Sequence, residues 1–104
     1  MTEEAVAIYR ELAAANPDRY NPGLAASLSN LGIRFWALGR PADTLPVTEE
    51  AVVAYRELAA ASPGQYRPDL AQSLNNLSAI LARLGLDDEA TAAIAEAKRL
   101  KGPS

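Results

Sequence analysis

The chain has 104 residues, a mass of 11.0 kDa, a formal net charge of −3 and 49% apolar residues, which is one domain's worth of globular composition and excludes general disorder. It holds no Cys and no His, so disulfides, most zinc sites and any chemistry needing a thiolate or an imidazole are excluded. The acidic balance argues against a nucleic-acid partner, and no apolar run approaches the roughly 20 residues that span a bilayer.

Alanine and leucine, with 22 and 14 residues, are strong helix formers and set an all-α expectation. An internal repeat organises them. Residues 3–48 align without a gap on 49–94, an offset of 46, with 22 identical positions. Glu3-Glu4-Ala5-Val6 returns as Glu49-Glu50-Ala51-Val52, and Tyr9 to Ala15 returns as Tyr55 to Ala61. Such a period predicts a solenoid of stacked supersecondary units.

In chain order the first predicted helix is 2–15. The second, 22–38, carries Leu24, Leu28, Leu31, Phe35 and Leu38 on one stripe. Asn21 is its expected N-cap, Pro22 its first residue and Gly39 its terminator. The segment 17–22 is expected to be a loop. The third helix, 41–61, contains Pro46, which predicts a kink; with Asp43 as N-cap the proline would instead fall in the first turn. The loop 63–68 and the helix 68–84 repeat the second unit, with Leu70, Leu74, Leu77, Leu81 and Leu84 on the stripe and Gly85 at its end. Asp87 is the expected N-cap of the last helix, 87–100. Short loops make successive helices antiparallel.

These residues resemble the tetratricopeptide repeat family, in the long-repeat form seen in kinesin light chains and many bacterial regulatory proteins. Leu31-Gly32 is similar to the family's Leu-Gly pair, with Phe35 after it and Gly39 in the inter-helix turn. Leu77-Ser78, Leu81 and Gly85 hold those places in the second copy, and Ala90 and Ala97 match the small positions of the second helix. Leu74-Asn75-Asn76-Leu77 resembles the Leu-Asn-Asn-Leu of the kinesin-light-chain form. Ser78 for Gly and Thr44 for Ala are departures. The resemblance implies an α-α superhelix, a right-handed solenoid of five helices: a single unit 1–104 with a half helix at 2–15, one repeat at 22–61 and a truncated one at 68–100.

The family's first helices line a concave groove, so the resemblance implies a partner-binding surface of Asn30, Ile33, Trp36, Gln72, Asn75, Asn76 and Arg83. An Asn amide both donates and accepts, and so can hold an extended peptide backbone. Ile33 and Trp36 would add apolar contact, although Trp36 is also expected to pack against the start of the first helix. Arg83 would favour an acidic segment.

Catalysis has nothing to stand on: Glu3-Glu4, Glu49-Glu50 and Asp87-Asp88-Glu89 belong on solvated helix faces without a convergent base. Tyr20 and Tyr66 are expected to pack over helix ends, and Tyr9 and Tyr55 to lie in the core. The expected function is a protein-interaction module that takes an extended peptide or partner segment, with a structural spacer as the alternative. No cofactor and no metal are expected. Val6, Ile8, Tyr9 and Leu12 at one end and Ile94 and Leu100 at the other predict a homo-oligomer through terminal helices. Eight Arg among ten basic residues give the chain the bias of GC-rich bacteria. A cytoplasmic location is expected, and the start inside a repeat, with Met1 at the place of Val47, suggests a fragment of a longer array.

Overall fold

Prolines set where three of the helices begin. The computed structural model describes residues 2–101, and five α-helices fill them: α1 (Thr2–Ala15), α2 (Pro17–Ala37), α3 (Pro41–Ala61), α4 (Pro63–Arg83) and α5 (Asp87–Lys101). Met1, aligned with Val47, and the last three residues of the 1–104 unit lie outside the described residues. A residue that precedes proline is pushed out of the helical region by clash with the ring. Asn16, Arg40 and Ser62 obey this, with ψ of 81°, 66° and 74°. One such residue suffices to turn the chain from α1 into α2, and from α3 into α4.

The expected loops 17–22 and 63–68 are therefore helical. Pro17 and Pro63, not Pro22 and Pro68, occupy the first turn, and the later prolines lie inside α2 and α4. Asn16 rather than Asn21 is the N-cap, its side chain accepting from the Arg19 N–H at 3.4 Å. Asp43 is not a cap: α3 begins at Pro41 and continues through Pro46. Asp87 is likewise the first helical residue, because the Leu86 carbonyl accepts the first bond, from the Ala90 N–H. With Asp88 and Glu89 it places negative charge at the positive end of α5.

Gly39 and Gly85 end α2 and α4 in the left-handed conformation, at φ of 70° and 82°. The N–H of Gly39 bonds to the Trp36 carbonyl and that of Arg40 to the Phe35 carbonyl; Gly85 and Leu86 do the same with Ala82 and Leu81. Both ends are thus closed by a Schellman motif.

Each helix packs on its neighbours in sequence, α1 on α2 through to α4 on α5. The result is a two-layer slab, 35 × 34 × 16 Å, with α1, α3 and α5 in one layer and α2 and α4 in the other. The leucine stripes fill the space between layers. Leu28 and Leu74 are fully buried, and each contributes about 1.5–3 kcal/mol by leaving water. Tyr9 and Tyr20 pack on the cluster of Val6, Leu24 and Leu28, and Tyr55 and Tyr66 on that of Val52, Leu70 and Leu74. Two forked ion pairs tie the odd-numbered helices to one another. Arg10 donates to both carboxylate oxygens of Glu50, at 2.9 and 2.6 Å, and Arg56 to both of Glu96, at 3.1 and 2.6 Å.

Candidate partner-binding cleft

Between α2 and α4, with α3 as floor, runs a cleft of about 320 Å³. The spacing of α2 brings Ser29, Gly32, Ile33 and Trp36 to one wall, and that of α4 brings Gln72, Ser73, Asn76 and Ala79 to the other. Thr44, Thr48 and Ala51 of α3 lie beneath. Residues three and four apart share a helix face, which is why a short stretch of each helix supplies a whole wall.

The walls differ in chemistry. Ile33 is 58% exposed and Trp36 42%, an unusual exposure for two large apolar side chains side by side. Opposite them the Gln72 amide donates to Asn76 Oδ1 at 3.2 Å. That bond orients the Asn76 side chain and leaves its own NH₂ for another acceptor. Among the described residues no ionisable side chain lines the cleft.

The floor is closed. Thr44 Oγ1 donates to the Arg40 carbonyl at 2.9 Å. Among the described residues no buried side-chain nitrogen or oxygen lacks a partner. Burial pushes the Tyr55 pKa up, the Ser29 side chain acts against that, and the nearby Asp69 and Tyr66 raise it further. Tyr55 is thereby held as the neutral phenol under the cleft.

Of the residues implied by the sequence, Ile33, Trp36, Gln72 and Asn76 come together here. Asn30, Asn75 and Arg83 are exposed but lie outside the lining; Asn75 borders a separate depression with Leu100 and Lys101. Trp36 faces the cleft, and Phe35 is the aromatic that joins the cluster covering α1. The floor residues Thr44, Thr48 and Ala51 carried no sequence signal for this role, because their helix appeared only as the outer partner of the repeat. Thr44 and Thr48 are buried hydroxyls, a residue type that patterning alone assigns to the surface.

The tetratricopeptide repeat family model matches residues 70–101, which span most of α4 and all of α5. No curated protein and no solved structure matches the chain. No helix among the described residues is long and apolar enough to cross a membrane. Residues 70–101, with α4 and α5 packed against each other, are thus similar in sequence to one tetratricopeptide repeat and form a helix pair.

Proposed function

We propose that the chain is a protein-interaction module whose cleft between α2 and α4 receives an extended segment of a partner protein. Repeats of this family are in general non-catalytic modules for protein contact, and the cleft supplies what such contact needs. The observation that carries the reading is the pairing of walls: an exposed apolar pair, Ile33 and Trp36, faces an oriented amide pair, Gln72 and Asn76. An apolar side chain of the partner lies against the first while its backbone bonds to the second. Because Arg83 stands outside and, among the described residues, no charged group lines the cleft, the segment it takes is uncharged where it enters. The expected preference for an acidic segment gives way to this one.

Trp36 is the chain's single tryptophan, so its fluorescence reports the cleft alone. The test is a titration with capped decapeptides of three kinds: neutral with a central Leu or Phe, acidic, and basic. The neutral set should shift the Trp36 emission, with a midpoint unaffected by salt. By calorimetry, Asn76→Ala should weaken binding by about 1–2 kcal/mol, since it leaves a peptide group unpaired. Asn30→Ala should leave it unchanged. Emission that no set alters, or binding that survives both Trp36→Ala and Asn76→Ala, overturns the reading.

A further inference from the structure

On the face of the slab opposite the cleft, α3 and α5 form the walls of a second groove, of about 390 Å³, with α4 as its floor. Helices of the structure bound it on both sides and beneath. Leu74, Leu77 and Leu81 supply an apolar floor, and Val53, 52% exposed, stands on the α3 wall. Arg56 of α3 reaches across to Glu96 of α5 and closes one end. Short connections reverse the chain on either side of α4, so α3 and α5 run the same way. Glu49 lies seven residues before Arg56, and Glu89 seven before Glu96. That is nearly two helical turns, about 10 Å along each helix and on the same face. The two carboxylates therefore line the groove together at the end away from the bridge. Both are exposed, and neither has an ion pair among the described residues.

The internal repeat supplies the comparison, because the same place in the first copy is filled and neutralised. At the offset of 46, Ala92 and Ala93 stand where α3 has Pro46 and Val47, Leu81 where α2 has Phe35, and Glu89 where α3 has Asp43. Val47 and Phe35 pack on the first cluster, over Leu28 and Leu31. Arg40 lies over the Phe35 ring, 4.7 Å from its centre, and donates to Asp43 at 2.6 Å. The position aligned with Arg40 is Leu86. The second copy thus keeps the acid and loses the cation that answers it. Its floor is also less covered: Leu31 is buried, whereas Leu77 is only partly so. Glu49, Glu89 and Glu96 line the groove against Arg56, which Glu96 already holds. Asp87 and Asp88 add negative charge in the same turn of α5 as Glu89.

We propose that this groove docks a segment of a partner protein in which a leucine-sized apolar side chain is flanked by Lys or Arg. The apolar side chain lies on Leu77 and Leu81 beside Val53, in the space that Ala92 and Ala93 leave. The cation meets Glu89 and Glu49, as Arg40 meets Asp43 in the first copy, with its stem on apolar surface and its head on a carboxylate. An acidic segment is opposed by the same carboxylates. The groove and the cleft lie on opposite faces of the slab, so this site stands whether or not the cleft binds a peptide.

The probe is a capped decapeptide with Lys-Leu-Lys at its centre and Gly and Ser elsewhere, titrated into the isotope-labelled full chain and followed by amide NMR shifts. The amides of Glu49, Val53, Glu89 and Ala92 should move together and saturate, while the Trp36 indole stays still, which separates this site from the cleft. Peptides with Glu-Leu-Glu or Lys-Ser-Lys at the centre should bind about tenfold more weakly. Glu49→Gln/Glu89→Gln should weaken the Lys-Leu-Lys peptide about fivefold. Glu4→Gln/Glu11→Gln, the same change of net charge elsewhere, should alter it by less than about twofold. Ala92→Leu, at an exposed position of α5, should block binding with helicity unchanged by circular dichroism; the glutamine pairs carry the test alone where helicity changes. No shift at millimolar peptide, shifts centred on Trp36, equal losses in the two glutamine pairs, or full binding by a folded Ala92→Leu chain would each overturn the proposal.

Discussion

Gly32 fixes how closely α2 approaches α3. A Cβ built there would lie 2.9 Å from Thr48 Oγ1, inside van der Waals contact. Threonine in a helix has few χ1 alternatives, and Thr48 is buried. The second copy solves the same contact differently: Ser78 replaces Gly32 and donates to the Ala90 carbonyl at 2.9 Å, with Ala90 and Ile94 at the places of Thr44 and Thr48. The departures from the family pattern are thus compensating exchanges of volume, visible in the sequence as substitutions but interpretable only with both partners in view. Gly32→Ala should destabilise by about 1 kcal/mol, the overpacking outweighing a gain of about 1 kcal/mol in helix propensity. In a Thr48→Ala background the same change should stabilise. Urea unfolding of the four proteins measures the sign change, and a stabilised single variant would refute the close contact. Tyr55 gives a pH test at the same scale. Its folded pKa is raised above 10, so its contribution is complete below about pH 10 and is lost as the pH rises through the folded value. Tyr55→Phe should remove this alkaline loss, so that urea unfolding shows the variant gaining stability relative to the parent chain as the pH rises through the folded value.

Helix count and order were legible because the leucine stripes and the two terminating glycines each have one physical reading. Helix starts were less so. Two prolines stand near the start of each even-numbered helix, Pro17 and Pro22 or Pro63 and Pro68, and both are individually acceptable at a first turn. Choosing the second treats 17–22 as a loop. Asn16-Pro17-Asp18 held the better signal: a capping side chain, a fixed φ and an acid in the first turn. Tertiary packing then carries Pro22 inside the helix, since Leu24, Ala25 and Leu28 are buried against the neighbouring helices. The two caps can be separated by experiment. Asn16→Ala should cost about 0.5–1 kcal/mol through the lost cap. Asn21→Ala should cost less than about 0.5 kcal/mol, because only its exposed bond to Glu57 at 3.2 Å is removed. Equal losses would return the helix start to Pro22. The cleft was half legible for a related reason: the walls follow from the polar face of α2 and α4, whereas the floor depends on which side of α3 faces inward.

Among the described residues the main contacts run between consecutive helices, with the ladder of Arg10–Glu50 and Arg56–Glu96 beside them. The ladder's side chains are largely half exposed, so each pair adds on the order of 0.5 kcal/mol and sets register more than stability. Stability is then close to a sum over neighbouring interfaces, and it is unequal along the chain. α3 packs on both α2 and α4, whereas α1 and α5 each pack on one helix and leave one face uncovered. Hydrogen exchange should therefore grade along the chain under native conditions: slowest in α3 and α4, intermediate in α2 and α5, fastest in α1, where Ile8 is exposed and Leu12 only half-buried. Mass spectrometry of peptides from the exchanged protein at low concentration resolves the five helices. Val6→Ala should accelerate exchange in α1 and α2 more than in α5, because Val6 is buried only in the first cluster. Equal protection in all five helices, unaltered in pattern by Val6→Ala, would show instead that the slab opens as one cooperative unit, and nearest-neighbour additivity would fail for this chain.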